Sequence, residues 1–262
     1  MLPIEPESSR SLSADIRSNT PARLMIGRAG AAYRTSTQLS LREDHATAVD
    51  AVQRDLQLST DFEPAFIEKW KLFETQTLVT NKREYLLRPD LGRKLSEDSK
   101  NIIVEKCPSQ CDLQIVIADG LSALAVLHQV PQLLPKLVEL GEQLGWTIGQ
   151  PFMVRFARVG VMNDIGELLQ SRVLVMLVGE RPGLATAESL SAYMAYRPQP
   201  GDTDARRNLI SNIHSGGVLI EEAAQRIINL AKQMLEHSSS GVTIKEILTP
   251  NLDNRTQHGN LS

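Results

Sequence analysis

The run from Val173 to Val178 constrains the fold of this chain more than any other segment. It is apolar throughout, stops at Gly179 and turns into Glu180-Arg-Pro-Gly183. An unbroken apolar run bounded by turn residues reads as a strand buried on both faces. Such strands belong to parallel sheets covered by helices, and those sheets bind ligands beyond the carboxyl ends of their strands. Gly179 and Gly183 are expected to let the backbone approach a ligand. Glu180 and Arg181 bring charge to the same edge.

The segments around this run repeat its pattern. Leu113–Ala118 reads as a strand ending in Asp119-Gly-Leu-Ser122, and Phe152–Val159 as the next. Shorter strands are expected at Ser191–Tyr196 and Leu209–Ile213. Helices are expected at Leu121–His128, Gln132–Leu144, Asp164–Leu169 and Leu219–Leu235. The last has Ala223, Ile227, Leu230, Ala231 and Met234 on one face. Its first turn carries Glu221 and Glu222 and its last turn Lys232 and His237, matching the helix dipole. Strands alternating with helices give a doubly wound α/β sheet.

The chain before Cys111 has a different rhythm. Residues 1–20 are polar and rich in Ser and Pro, and read as a flexible arm. Ser40-Leu-Arg-Glu43 has the form of a capping box, followed by Leu41, Ala48, Val49, Val52 and Leu56 at helical spacing. A second helix is expected over Pro64–Thr75, burying Phe66, Ile67, Trp70 and Phe73. Asn81-Lys82 gives a hairpin signal, and Asp90 is placed to cap a helix carrying Leu91, Leu95, Ile102 and Ile103. The division that follows is an arm at 1–20, a mainly helical N-terminal domain at 21–110, a Rossmann-like domain at 111–240 and a tail at 241–262.

Composition narrows function. At 262 residues the chain has room for one large domain or two ordinary ones. Aromatic content of 4% argues against rows of base-stacking platforms, and a formal charge of −3 gives no pull toward nucleic acid or an anionic membrane. No apolar run has the length of a bilayer span, and the first ten residues lack a basic-then-apolar leader. Cys107 and Cys111 supply only half a zinc site and read as free thiols in a reducing cytosol.

The loops beyond the strand ends are where chemistry would sit. They are Asp119–Ser122, the segment after Val159, Gly179–Gly183 and Asn212–Gly217. The last is a Gly-rich turn before a helix, a place for an anion. None is a dinucleotide fingerprint, a P-loop or a nucleophile elbow. Asp119 reads either as a site residue or as a helix cap, and Glu180 and Arg181 either as ligand contacts or as a mutual ion pair. Asp44-His45 reads as an exposed or interface pair before a catalytic dyad. Asn212-x-His214-x-x-Gly217 has the spacing of the Asp-x-His-x-x-Gly box of proteins that bind cobalamin through histidine. A single box match is weak, and His214 reads rather as a helix-capping or interface residue.

Taken together in order, several segments resemble one family. They are Thr20-Pro-Ala-Arg23, Gly27-Arg-Ala-Gly30 with Arg34-Thr35, Asp44-His45, Leu87-Arg-Pro-Asp-Leu-Gly-Arg93, Ala118-Asp-Gly-Leu-Ser122, Val178-Gly-Glu-Arg-Pro-Gly-Leu184, Glu188-Ser-Leu190, and Ser211-Asn-Ile-His214 with Gly216-Gly217. The chain resembles the small (light) chain of ethanolamine ammonia-lyase from about Thr20 to Leu235. The resemblance implies a Rossmann-like doubly wound parallel sheet preceded by a small mainly helical N-terminal domain. It implies a lyase that converts ethanolamine to acetaldehyde and ammonia with adenosylcobalamin, the cofactor supplying the radical chemistry. It implies a hetero-oligomer with a TIM-barrel large chain that holds the catalytic groups, none of them on this chain and no metal ligand either. The implied location is cytoplasmic, with a bacterial microcompartment as the alternative.

The family's cobalamin contacts fall on Val159, Glu180 and Leu209. The family keeps dimethylbenzimidazole as the lower cobalt ligand, so the resemblance weighs further against His214 as a cobalt ligand. Leu209 stands where the family has Cys, which fits a backbone contact. Ala31-Ala32 replaces a Pro-containing stretch. Two other classes of function stay open at this point: a free-standing Rossmann enzyme with a nucleotide cofactor, and a scaffold subunit without a ligand.

Overall fold

In the computed structural model, the described residues are Leu12, 14–16, Leu24, 28–183 and 186–246. Most of the expected flexible arm, the Thr20–Arg23 segment, Gly27, Leu184 and most of the tail lie outside them. The strands are β1 (Arg28–Ala29), β2 (Ala32–Tyr33), β3 (Glu74–Gln76), β4 (Leu113–Ala118), β5 (Phe152–Arg155), β6 (Val173–Gly179), β7 (Leu190–Tyr196) and β8 (Asn208–Ile213). The helices are α1 (Thr35–Gln53), α2 (Leu58–Asp61), α3 (Pro64–Trp70), α4 (Lys82–Leu87), α5 (Glu97–Lys106), α6 (Ala123–Gln143), α7 (Met162–Leu169) and α8 (Ile220–His237).

The six-stranded sheet has the order β3-β5-β4-β6-β7-β8. β3, β5, β4 and β6 run parallel, and β7 is antiparallel to both its neighbours. The mixed α/β architecture expected from the alternating pattern is therefore present. β5 lies on one side of β4 and β6 on the other, so the chain reverses direction at β4. That switch point opens a crevice at the carboxyl ends.

Both sheet faces are packed, which explains the unbroken apolar runs. On β6, Val173, Val175 and Leu177 join a core with α6 and α8, while Leu174, Met176 and Val178 join a second core with α7 and α5. β4 alternates in the same way, with Ile115 and Ile117 on the first face and Val116 and Ala118 on the second. The stripe expected on the last helix is buried in full on α8.

Several elements differ from the sequence reading. α6 is one helix through Pro131 and Pro135, where two had been expected. An interior proline costs ~3 kcal/mol, and the buried face of Val130, Leu133, Leu134, Leu137 and Val138 offsets it. α1 begins after Arg34, so Ser40 lies inside the helix and is not its N-cap. Among its residues only Ala51 is buried. The second helix stops at Trp70, and Phe73 precedes strand β3, which adds Glu74–Gln76 to the edge of the sheet. Asn81 is an N-cap and not a hairpin turn: its side chain accepts from the Glu84 N–H at 3.0 Å. Ser96, not Asp90, caps α5, accepting from the Ser99 N–H at 3.3 Å.

Candidate functional site

β4 ends in Asp119, which is 1% exposed. Its Oδ1 accepts from the Gly120 N–H at 2.9 Å and the Ala157 N–H at 3.0 Å, and its Oδ2 from the Phe156 N–H at 2.8 Å. Phe156 has φ +53°, a left-handed conformation uncommon for a bulky residue, and these bonds hold it there. Asp119 is thus the clamp between the ends of β4 and β5. Capping of α6 falls to Ser122, whose Oγ accepts from the Ala125 N–H at 3.2 Å.

Beneath the clamp, the Lys82 ammonium donates to the Gly120 carbonyl at 3.4 Å and sits 5.1 Å from the Tyr85 ring centroid. Burial pulls the Lys82 pKa down, with Asp119 opposing. Burial pushes the Asp119 carboxyl up, opposed by Lys82 and the three N–H donors. The Tyr85 phenol is pushed up by burial and then by Asp119, and donates to the Ala157 carbonyl at 3.1 Å.

Gly120 and Gly179 join the ends of β4 and β6. A Cβ on Gly120 would lie 2.3 Å from the Gly179 carbonyl oxygen, and one on Gly179 would lie 2.0 Å from the Ser122 carbonyl oxygen. Gly179 lines the cleft described below, as expected of a glycine at this edge. Its missing side chain admits the neighbouring backbone of this chain. Gly183 is exposed and donates to the Thr186 carbonyl at 3.0 Å.

Glu180 does not pair with Arg181. Its Oε1 accepts from the Ser191 hydroxyl at 2.5 Å and the Asn212 N–H at 2.9 Å, and its Oε2 from the Ser189 hydroxyl at 2.8 Å. The carboxylate ties β6 to β7 and to the end of β8, where Asn212 has φ +61°. A carboxylate has about four lone-pair positions, so one on Oε2 remains for a ligand.

The loop after β8 is closed on itself. Buried His214 accepts from the Gly216 N–H at Nδ1, 3.1 Å, which leaves Nε2 to donate to the Asn212 Oδ1 at 2.8 Å. Gly217 N–H donates to the His214 carbonyl and Val218 N–H to the Asn212 carbonyl. Both ring nitrogens and these N–H groups are engaged within the loop, which favours the capping reading of His214 over a ligand role. His45 is exposed on α1 and is not part of the cleft described next.

Val159, Glu180 and Leu209, on three different elements, line one cleft of about 430 Å³ at the carboxyl ends of the strands. Leu209, 46% exposed, stands on β8 opposite Tyr193. Tyr85, Arg158, Tyr193 and Ser211 also line the cleft and were not singled out from the sequence. Arg158 lies beside a named residue, but nothing in its local pattern marks its orientation. Among the described residues, the Tyr193 and Ser211 hydroxyls have no hydrogen-bond partner. The Leu87–Arg93 segment backs the cleft, the Gly92 carbonyl accepting from the Arg158 N–H at 2.7 Å.

A family model described as Ethanolamine ammonia-lyase light chain (EutC) matches residues 11–245. The chain is 41% identical over 242 residues to the ethanolamine ammonia-lyase small subunit of Clostridium perfringens, covering 92% of this chain and 80% of that one. It is 43% identical over 231 residues to that of Clostridioides difficile, covering 88% and 77%. It is 38% identical over 232 residues to that of Clostridium acetobutylicum, covering 88% and 93%. The chain belongs to the ethanolamine ammonia-lyase light-chain family.

Proposed function

We propose that this chain is the small subunit of an adenosylcobalamin-dependent ethanolamine ammonia-lyase and forms one wall of the cobalamin site against a TIM-barrel large subunit. The observation that carries this reading is the convergence of Val159, Glu180 and Leu209 on a single cleft at the switch point of the sheet. The donor set suits the cofactor. Cobalamin is ringed by amide side chains, which need acceptors for N–H and donors for C=O. The cleft offers the remaining Glu180 lone pair and the Tyr193 and Ser211 hydroxyls. A charged acceptor makes the stronger bond. When bound, adenosylcobalamin supplies the radical that acts on ethanolamine.

The work of this chain is placement. The Asp119 clamp and the Gly120–Gly179 contact build the cleft wall without a ligand, so little ordering is left for binding. Glu180 arrives oriented by Ser189, Ser191 and Asn212. The Leu209 position serves through its backbone. The chain is taken to act in the cytoplasm, or in a microcompartment there. No helix among the described residues is long and apolar enough to cross a membrane.

The test is assembly with the large subunit. The purified chain alone is expected to form no acetaldehyde. The complex is expected to bind cobalamin, and Leu209→Cys to change its affinity by under about 1 kcal/mol, as mild side-chain swaps do. Turnover by the isolated chain, or cobalamin affinity identical with and without it, refutes the reading.

A further inference from the structure

Two cations on the cleft wall, Arg158 and Arg181, have no ion-pair partner among the described residues. Other arginines do: Arg172 pairs with Asp112, Arg207 with Asp204 and Arg226 with Glu246. Arg158 is also held in place. Its Cγ packs over Gly92, where an added Cβ would lie 2.8 Å away. Its guanidinium carbon is 4.2 Å from the Tyr85 ring centroid, and one terminal nitrogen donates to the Tyr85 carbonyl at 3.0 Å. Its Nε–H is buried with no hydrogen-bond partner. Arg181 is exposed, and the adjacent Glu180 carboxylate is turned toward Ser189, Ser191 and Asn212 instead.

A stacked guanidinium with an unused buried donor is oriented for a planar or tetrahedral oxyanion. We propose that Arg158, assisted by Arg181, receives the phosphodiester of the cobalamin nucleotide tail. This rests on the cobalamin reading above. The phosphodiester is the fixed anion in a cofactor otherwise ringed by neutral amides, and Arg158 is the prearranged cation of the cleft. Arg181, on the loop after β6, adds charge without a fixed geometry.

The complex with the large subunit tests this with three corrinoids read by absorbance in equilibrium dialysis: cobalamin, cobinamide phosphate and cobinamide, which lacks phosphate. Arg158→Met is expected to weaken the two phosphate-bearing probes by about 10- to 100-fold, the range of a charge-assisted bond. Cobinamide binding is expected to stay within about twofold, as expected of a contact made to the phosphate alone. Arg158→Lys keeps the charge and loses the fork, and is expected to fall between. Arg181→Met changes an exposed residue, so its smaller loss, again confined to the phosphate-bearing probes, checks the assignment independently of folding. Equal losses for all three probes overturn it, because then only cleft shape has changed. Weaker subunit assembly, with wild-type phosphate discrimination in the complex that still forms, also overturns it, and assigns the arginines to carboxylates of the large subunit. If no corrinoid binds the wild-type complex, the cobalamin reading fails and this one with it. Wild-type binding without phosphate discrimination overturns this proposal alone.

Discussion

Asp119→Ala removes the acceptor of three buried N–H groups at once. A buried donor without an acceptor costs ~1–3 kcal/mol. The Gly120 N–H is adjacent in sequence and water can enter the emptied volume, so the expected loss is about 3–5 kcal/mol. Relaxation of Phe156 from φ +53° offsets part of it, because a left-handed residue costs ~1–2 kcal/mol that the released backbone would shed. Asp119→Asn keeps an oxygen for Gly120 and Ala157 but turns an amide toward the Phe156 N–H, so it should lose about 1–3 kcal/mol. Urea unfolding of the full chain, followed by circular dichroism, gives the comparison. The expected order of stability is wild type, Asn, Ala, with cobalamin affinity of the complex falling in the same order, because the clamp presents Arg158 and Val159. An Ala variant as stable as wild type, or more stable than Asn, refutes this account of Asp119.

Gly179→Ala should destabilise by at least the ~1–3 kcal/mol of overpacking, since the new Cβ meets a carbonyl oxygen at 2.0 Å; an unchanged unfolding midpoint would refute it. Glu180→Gln should weaken cobalamin binding by about 1.5–3 kcal/mol with the fold retained, whereas Glu180→Ala should lower stability as well, because three donors lose their acceptor. Burial raises the Cys107 thiol to about 12 and the Cys111 thiol to about 11 from an ordinary 9.0. Above pH 9 the unfolded chain therefore releases protons that the folded chain keeps, and stability should fall from there toward the folded values; a pH series of unfolding midpoints checks this. His214→Ala should leave the cob(II)alamin hyperfine coupling to benzimidazole nitrogen intact in electron paramagnetic resonance, and its loss would return His214 to the metal.

The elements legible in the sequence were those whose burial is local and repetitive. β4 and β6 are apolar on both faces, and α8 carries an unmixed stripe, so each announces its own environment. α6 was read as two helices because proline is a local signal, while the packing of Leu133, Leu134 and Leu137 that overrides it comes from the sheet. Asn81 suits a turn or an N-cap alike, and only the Glu84 N–H decides between them. β3 is too short for any period and exists because β5 has a free edge. The site divides in the same way. Its place beyond the strand ends followed from fold logic, and Val159, Glu180 and Leu209 from family resemblance. Tyr85 and Arg158 meet across a sequence gap that no pattern spans.

The buried titratable groups outside this cleft bear on what the chain can do with a ligand. A general acid or base needs a free proton-transfer site near its working pH. Asp119 has all its contacts inside the protein, and both nitrogens of His214 are engaged in its own loop. The thiols of Cys107 and Cys111 are buried and held protonated. What the cleft offers a ligand is two hydroxyls without a partner, one carboxylate lone pair and two guanidinium groups without a carboxylate partner. These groups can grip a ligand through hydrogen bonds and charge. That is the role the proposed function gives this chain, with the reacting groups expected on the large subunit.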